Sequence, residues 1–111
     1  MSFNGSEGEQ VSLAEGAEYT VRYRSANPEA IKGVFFGRDH IEKILAQTDC
    51  KGLRMYFAQN LDGSPTLVVV GADSNQNDQL DMIFEGLFPC PWKCSTPNSL
   101  NDGPQPVSGS K

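Results

Sequence analysis

The sequence predicts a small α+β domain: a largely antiparallel three-stranded sheet packed with helices, in the order α-β-α-β-β-α. Three observations predict it. Ser12-Leu13-Ala14-Glu15 has the form of a capping box at a helix start. Leu53, Met55 and Phe57 alternate with Arg54 and Tyr56 in strand period, just before the doubly apolar run Thr66–Gly71. Leu80, Ile83, Phe84 and Leu87 recur at helical spacing.

The first helix is expected over 13–26. It is opened by Ser12 and closed by Asn27-Pro28, because the residue before proline avoids helical angles. Leu13, Ala17 and Val21 fall on one side of it and Tyr19 and Tyr23 on the other. One face should meet the core, while the tyrosines form either a second core contact or a partner surface. A short strand, 33–36, follows between Gly33 and Gly37. Asp39 should then cap a helix over 39–47, with Ile41, Ile44 and Leu45 as its buried stripe. A strand over 53–59 should bury Leu53, Met55 and Phe57. Asp62-Gly63 supplies a hairpin turn, because these residues tolerate positive φ. The strand over 66–72 is apolar on both faces and is therefore central, with Val69 among the most buried residues. A third helix is expected over 78–86, stopped at Gly86.

The chain has 111 residues, the size of one domain, since domains peak at about 100–150 residues. Its hydrophobic fraction of 38% fits a globular chain. Residues 1–10 are small, polar and acidic, and residues 95–111 are rich in proline, serine and glycine. Both ends are expected to be flexible, leaving a folded domain over 11–94. Net charge is −5, unevenly spread: residues 21–60 carry seven bases against four acids, between acidic flanks. Overall acidity argues against a nucleic-acid partner, whose binding rests on neutralised phosphates. Arg22, Arg24, Lys32 and Arg38 could still meet an anion; the plainer reading is a solvated surface. The longest apolar run, Leu67 to Val70, is too short to span a membrane, and no basic-then-apolar leader opens the sequence. The expectation is a soluble cytoplasmic protein with reduced thiols.

Candidate chemistry is sparse. Asp73, Asn75 and Asn77 match the opening of a calcium loop, but Asp78 replaces its turn glycine and Phe84 its bidentate glutamate. A polar connection explains the stretch better. His40, the single histidine, follows Asp39 at a helix start. A small enzyme built on Asp39 and His40 would need a nucleophile or orienting group that no local motif supplies, and an exposed first-turn histidine is the ordinary reading. Cys50, Cys90 and Cys94 could hold a metal with His40, or act as a redox pair, although the ligand set is scattered and Pro91 interrupts the pair.

Cys90 and Cys94 lie in Phe88–Cys94, "FPCPWKC", with the only tryptophan. Pro89 and Pro91 exclude a regular helix or central strand there. The favoured reading is a packing clasp in which Trp92 and Phe88 lie back over the core. A disulfide joining two of the three cysteines and a metal site are the alternatives.

"FFGRDHIEKILAQTDCKGLRMYF", "DGSPTLVVVGADSNQND" and "FPCPWKC" together resemble a family of small uncharacterised proteins from Bacteroidetes-type bacteria. The resemblance spans roughly residues 12–100 and implies no activity, cofactor or site. Together these readings favour a non-catalytic interaction or regulatory module without a cofactor, with a protein partner or a second copy meeting Tyr19 and Tyr23. A thiol-based metal or redox protein is the alternative.

Overall fold

In the computed structural model, which describes residues 2–101, Ser12 opens α1 (Leu13–Ala26) with the expected capping box. The Ser12 hydroxyl accepts from the Glu15 amide at 3.1 Å, and the Glu15 carboxylate accepts from the Ser12 amide at 3.0 Å. The elements that follow are β1 (Gly33–Phe35), α2 (Arg38–Leu45), β2 (Cys50–Gln59), β3 (Pro65–Asp73), β4 (Asp78–Phe84) and β5 (Phe88–Cys90). The architecture is α+β, with an antiparallel sheet ordered β2-β3-β4 and a separate two-stranded sheet of β1 and β5. No helix among the described residues is long and apolar enough to cross a membrane.

Two expectations are corrected here. Residues 78–86 form a strand and not a third helix, and the strand over 33–36 lies outside the three-stranded sheet. Helical spacing of Leu80, Ile83, Phe84 and Leu87 was a coincidence of composition. Leu80 and Ile83 are exposed, while Met82 and Phe84 share one face of the strand and pack on the core. A central strand needs a ladder partner on each edge, and the next segment in sequence is the nearest source of one. The connection itself is a tight reversal. The Asp73 carboxylate accepts from the amides of Asn75 and Asn77, both at 2.9 Å, the Asp73 amide donates to Asn77 O at 3.0 Å, and Gln76 adopts φ 71.

Backbone packing divides the described chain into two compact units, residues 2–8 with 34–88 and residues 9–33 with 89–101. The domain expected over 11–94 is thus shared between them. The last ten residues of the expected tail, 102–111, lie outside the described residues.

In the first unit α2 packs against β2 and β3. Its N-cap is Gly37, not Asp39, which sits in the first turn where a carboxylate meets the positive end of the helix. The core is Ile44, Val69 and Leu87, surrounded by Val34, Phe36, Cys50, Leu53, Leu67, Met82 and Phe84. Val69 is fully buried on the central strand. Val69→Ala is expected to cost about 1–3 kcal/mol in urea unfolding through lost burial and a residual cavity. A change of a few tenths would remove Val69 from the centre of the core.

Met55 and Phe57, expected on the buried face, are exposed. An eight-residue helix is about 12 Å long, whereas a ten-residue strand runs about 33 Å, so α2 cannot cover the far end of β2. Gly71 is fixed by packing: a Cβ there would lie 2.6 Å from Gln79 Oε1 and 2.9 Å from Cys50 Sγ and Gln47 Nε2.

The opposite face of this sheet carries buried Val70 and Ala72 and a polar group made by Arg54, Tyr56 and Asp78. Arg54 Nη1 donates to Asp78 Oδ1 at 2.6 Å and to Gln76 O at 3.1 Å, and the Tyr56 hydroxyl donates to Asp78 Oδ2. The N-terminal residues, expected to be flexible, are placed on this face. The Phe3 ring lies 5.5 Å from the Arg54 guanidinium, and the Phe3 amide donates to Ser74 O at 3.0 Å. The Glu7 carboxylate accepts from the amides of Asn4 and Gly5.

The Tyr56 hydroxyl, and then Arg54, hold the Asp78 carboxyl below its usual range. A carboxyl depressed by folding stabilises above its unfolded-state pKa, and that contribution disappears as pH falls through the folded-state value. Asp78→Asn is therefore expected to lower stability at pH 7 and to flatten the stability loss below about pH 4 in urea titrations. An unchanged acid slope would show that Asp78 is not linked to folding.

In the second unit the buried side of α1 is Ala17, with Thr20, Val21 and Arg24 half-buried along i, i+3, i+4 and i+7. Leu13, expected in that stripe, is exposed. Residues 95–101, also expected to be flexible, are tied by hydrogen bonds. Asn101 Nδ2 donates to Ser95 O and Thr96 O, and the Leu100 amide donates to Asn98 Oδ1. Arg24 Nη1 donates to Leu100 O at 2.6 Å, which pins this segment to α1.

Candidate functional site: the Cys90–Cys94 ring

Phe88-Pro89-Cys90-Pro91-Trp92-Lys93-Cys94 begins as β5 and then turns back on itself. Cys90 and Cys94 are joined by a disulfide, with their Cα atoms 4.7 Å apart. The Lys93 amide donates to Pro89 O at 2.9 Å across the base of the ring. The Lys32 amide donates to Cys90 O at 2.6 Å and fixes the incoming strand, while the hydrogen-bonded segment 95–101 holds the outgoing chain. The ring is therefore braced on both sides within its own unit.

Trp92 stands at the tip of this ring and is 91% exposed. Phe88 is 55% exposed, and Pro91, Lys93 and Cys94 are exposed as well. The expected clasp is corrected on this point. Covalent closure over so few residues leaves the backbone no slack to swing the indole onto a core, so the side chains between the two cysteines splay outward. An indole can bury roughly 150–250 Å², and here nearly all of it meets water.

Two of the three cysteines are consumed by the disulfide; Cys50 is free, half-buried against the core, and its Sγ donates to Gly52 O at 3.3 Å. Among the described residues no group of three or more His, Cys, Asp and Glu side chains is placed to hold a metal ion. In the stretch tested as a calcium loop, the Asp73 carboxylate accepts from backbone amides and Asp78 is engaged by Arg54 and Tyr56. His40 is exposed and stacks on Phe84 at 4.5 Å and on Phe36 at 6.1 Å. It lines a small pocket of about 190 Å³ with Phe35, Phe36, Gly37, Glu85, Gly86 and Phe88, and Asp39 is not among the lining residues. Tyr19 and Tyr23 are both exposed on α1, with the Arg22 guanidinium 5.4 Å from the Tyr19 ring.

The ring chemistry gives a direct expected result. Unfolded without reductant, the protein should show one titratable thiol per chain, that of Cys50; three would mean an open ring. Sequence reasoning weighed the disulfide but missed the exposed tryptophan. The available signal was the crowding of two cysteines, two prolines and a tryptophan into seven residues, too short a piece to close and also wrap.

No family model, no curated protein and no solved structure matches this chain.

Proposed function

We propose that the protein is a non-catalytic interaction module whose anchor is Trp92, presented by the Cys90–Cys94 ring. The observation that carries this reading is an indole 91% exposed at the tip of a covalently closed, hydrogen-bonded turn. Tryptophan dominates binding hot spots because it offers a large rigid surface, and a side chain already held in place loses little entropy on binding. Exposed Tyr19 and Tyr23 offer a further aromatic surface for the same partner or for a second copy of the chain. The cytoplasmic location suggested by the sequence would keep Cys90 and Cys94 reduced; the closed ring favours an oxidising compartment. The resemblance to small proteins of Bacteroidetes-type bacteria is compatible with either location.

The test compares species retained by tagged wild type, Trp92→Ser and Tyr19→Ser/Tyr23→Ser in native cells, together with sedimentation of each purified protein. A partner or a dimer held by the wild type and lost in Trp92→Ser, at unchanged thermal unfolding, is the expected result. Retention of every species by Trp92→Ser would remove the ring from the interface.

A second reading is thiol–disulfide exchange at the same ring, favoured by the exposure of Cys94. It predicts that Cys90→Ser traps mixed disulfides through the exposed Cys94, which a purely adhesive ring does not do.

A further inference from the structure

We propose that the pocket formed by Phe35, Phe36, His40, Glu85 and Phe88 binds a trimethylammonium group carried by a small molecule. Four aromatic residues line it, and the only charged lining residue is Glu85. Two of the rings are held well out of the core, Phe35 at 63% and Phe88 at 55% exposure. The His40 ring is set in place by stacking on Phe84 and Phe36, and Phe36 lies 5.9 Å from Phe84. Gly37 and Gly86 complete the lining, and a Cβ at either would meet nothing within 4 Å, so the rim is open.

This lining selects by charge. Aromatic faces carry partial negative charge and attract a cation lying over them within about 6 Å. The Glu85 carboxylate adds to that attraction and repels anions. A primary ammonium is strongly hydrated and leaves water reluctantly, whereas an alkylated one offers methyl groups to the ring faces and keeps its charge. The volume, about 190 Å³, accommodates one such head group and little more. The surrounding unit reinforces the preference, because residues 2–8 and 34–88 carry nine acids against four bases.

The experiment titrates choline, and separately its uncharged carbon isostere 3,3-dimethylbutan-1-ol, into the whole protein at pH 8. Amide and ring shifts of Gly37, His40 and Gly86 are followed by NMR. The expected result is saturable binding of choline with a dissociation constant of about 1 mM, an affinity ordinary for so few atoms. The isostere should bind about three- to thirtyfold more weakly. Glu85→Gln and Phe35→Leu should each weaken choline severalfold while the remaining spectrum, and so the fold, is kept. If Phe35→Leu loses the fold, the exposed Glu85→Gln variant still decides the matter. Equal affinity for choline and the isostere would overturn the proposal in favour of a merely apolar pocket, and so would the absence of a saturable shift.

Discussion

Ile44→Ala is expected to destabilise the first unit by about 2–5 kcal/mol, the largest stability effect of any single substitution considered. Ile44 is fully buried and is the residue through which α2 enters the core beside Val69 and Leu87. The helix is only eight residues long, so it has little stability of its own and depends on this contact. Its neighbours are also unable to close a cavity cheaply. Gln47 Nε2 donates to Ile44 O at 3.0 Å and to Gln79 Oε1 at 3.3 Å, and Gln79 Nε2 donates to Thr48 O at 2.8 Å. Those bonds hold the end of α2 against β4. Chemical unfolding of the variant checks this, and a cost under about 1 kcal/mol would mean that the site collapses freely.

The second large effect concerns binding. Trp92→Ser is expected to weaken the partner by about 2–4 kcal/mol, or roughly 30- to 1,000-fold, the range of a central aromatic anchor. Stability should change little, because the indole makes almost no contact with its own chain. Cys90→Ser/Cys94→Ser should weaken binding less, since the indole remains and only its pre-ordering is lost. A titration of purified partner, or sedimentation where the partner is a second copy, separates the two variants. Equal losses in both would mean that the indole contributes only while the ring holds it, and a loss in the cysteine variant alone would mean that the ring matters and the indole does not.

How far the sequence could be read depended on whether a signal was local. The α1 capping box needs only Ser12 and Glu15, and the Asp62-Gly63 turn needs only the tolerance of Gly63 for φ 91; both stand as read. Val69 was legible because an apolar run on both faces demands a central strand. The status of residues 78–84 was not local. Leu80, Ile83 and Phe84 satisfy a helical period, and only pairing with β3 decides against it. The Arg54–Tyr56–Asp78 group was hidden for the same reason, since it exists only once β2 and β4 flank β3. Trp92 failed in the opposite direction: apolar composition argued for burial, and a short covalent closure overrode it.

The central claim, that the ring holds Trp92 in water, is tested most directly by the intrinsic fluorescence of the native protein, because Trp92 is its only tryptophan. The emission maximum and iodide quenching should match those of free N-acetyltryptophanamide and should barely move on unfolding in urea. A blue-shifted, poorly quenched emission that moves red on unfolding would place the indole in a packed interior and contradict the account.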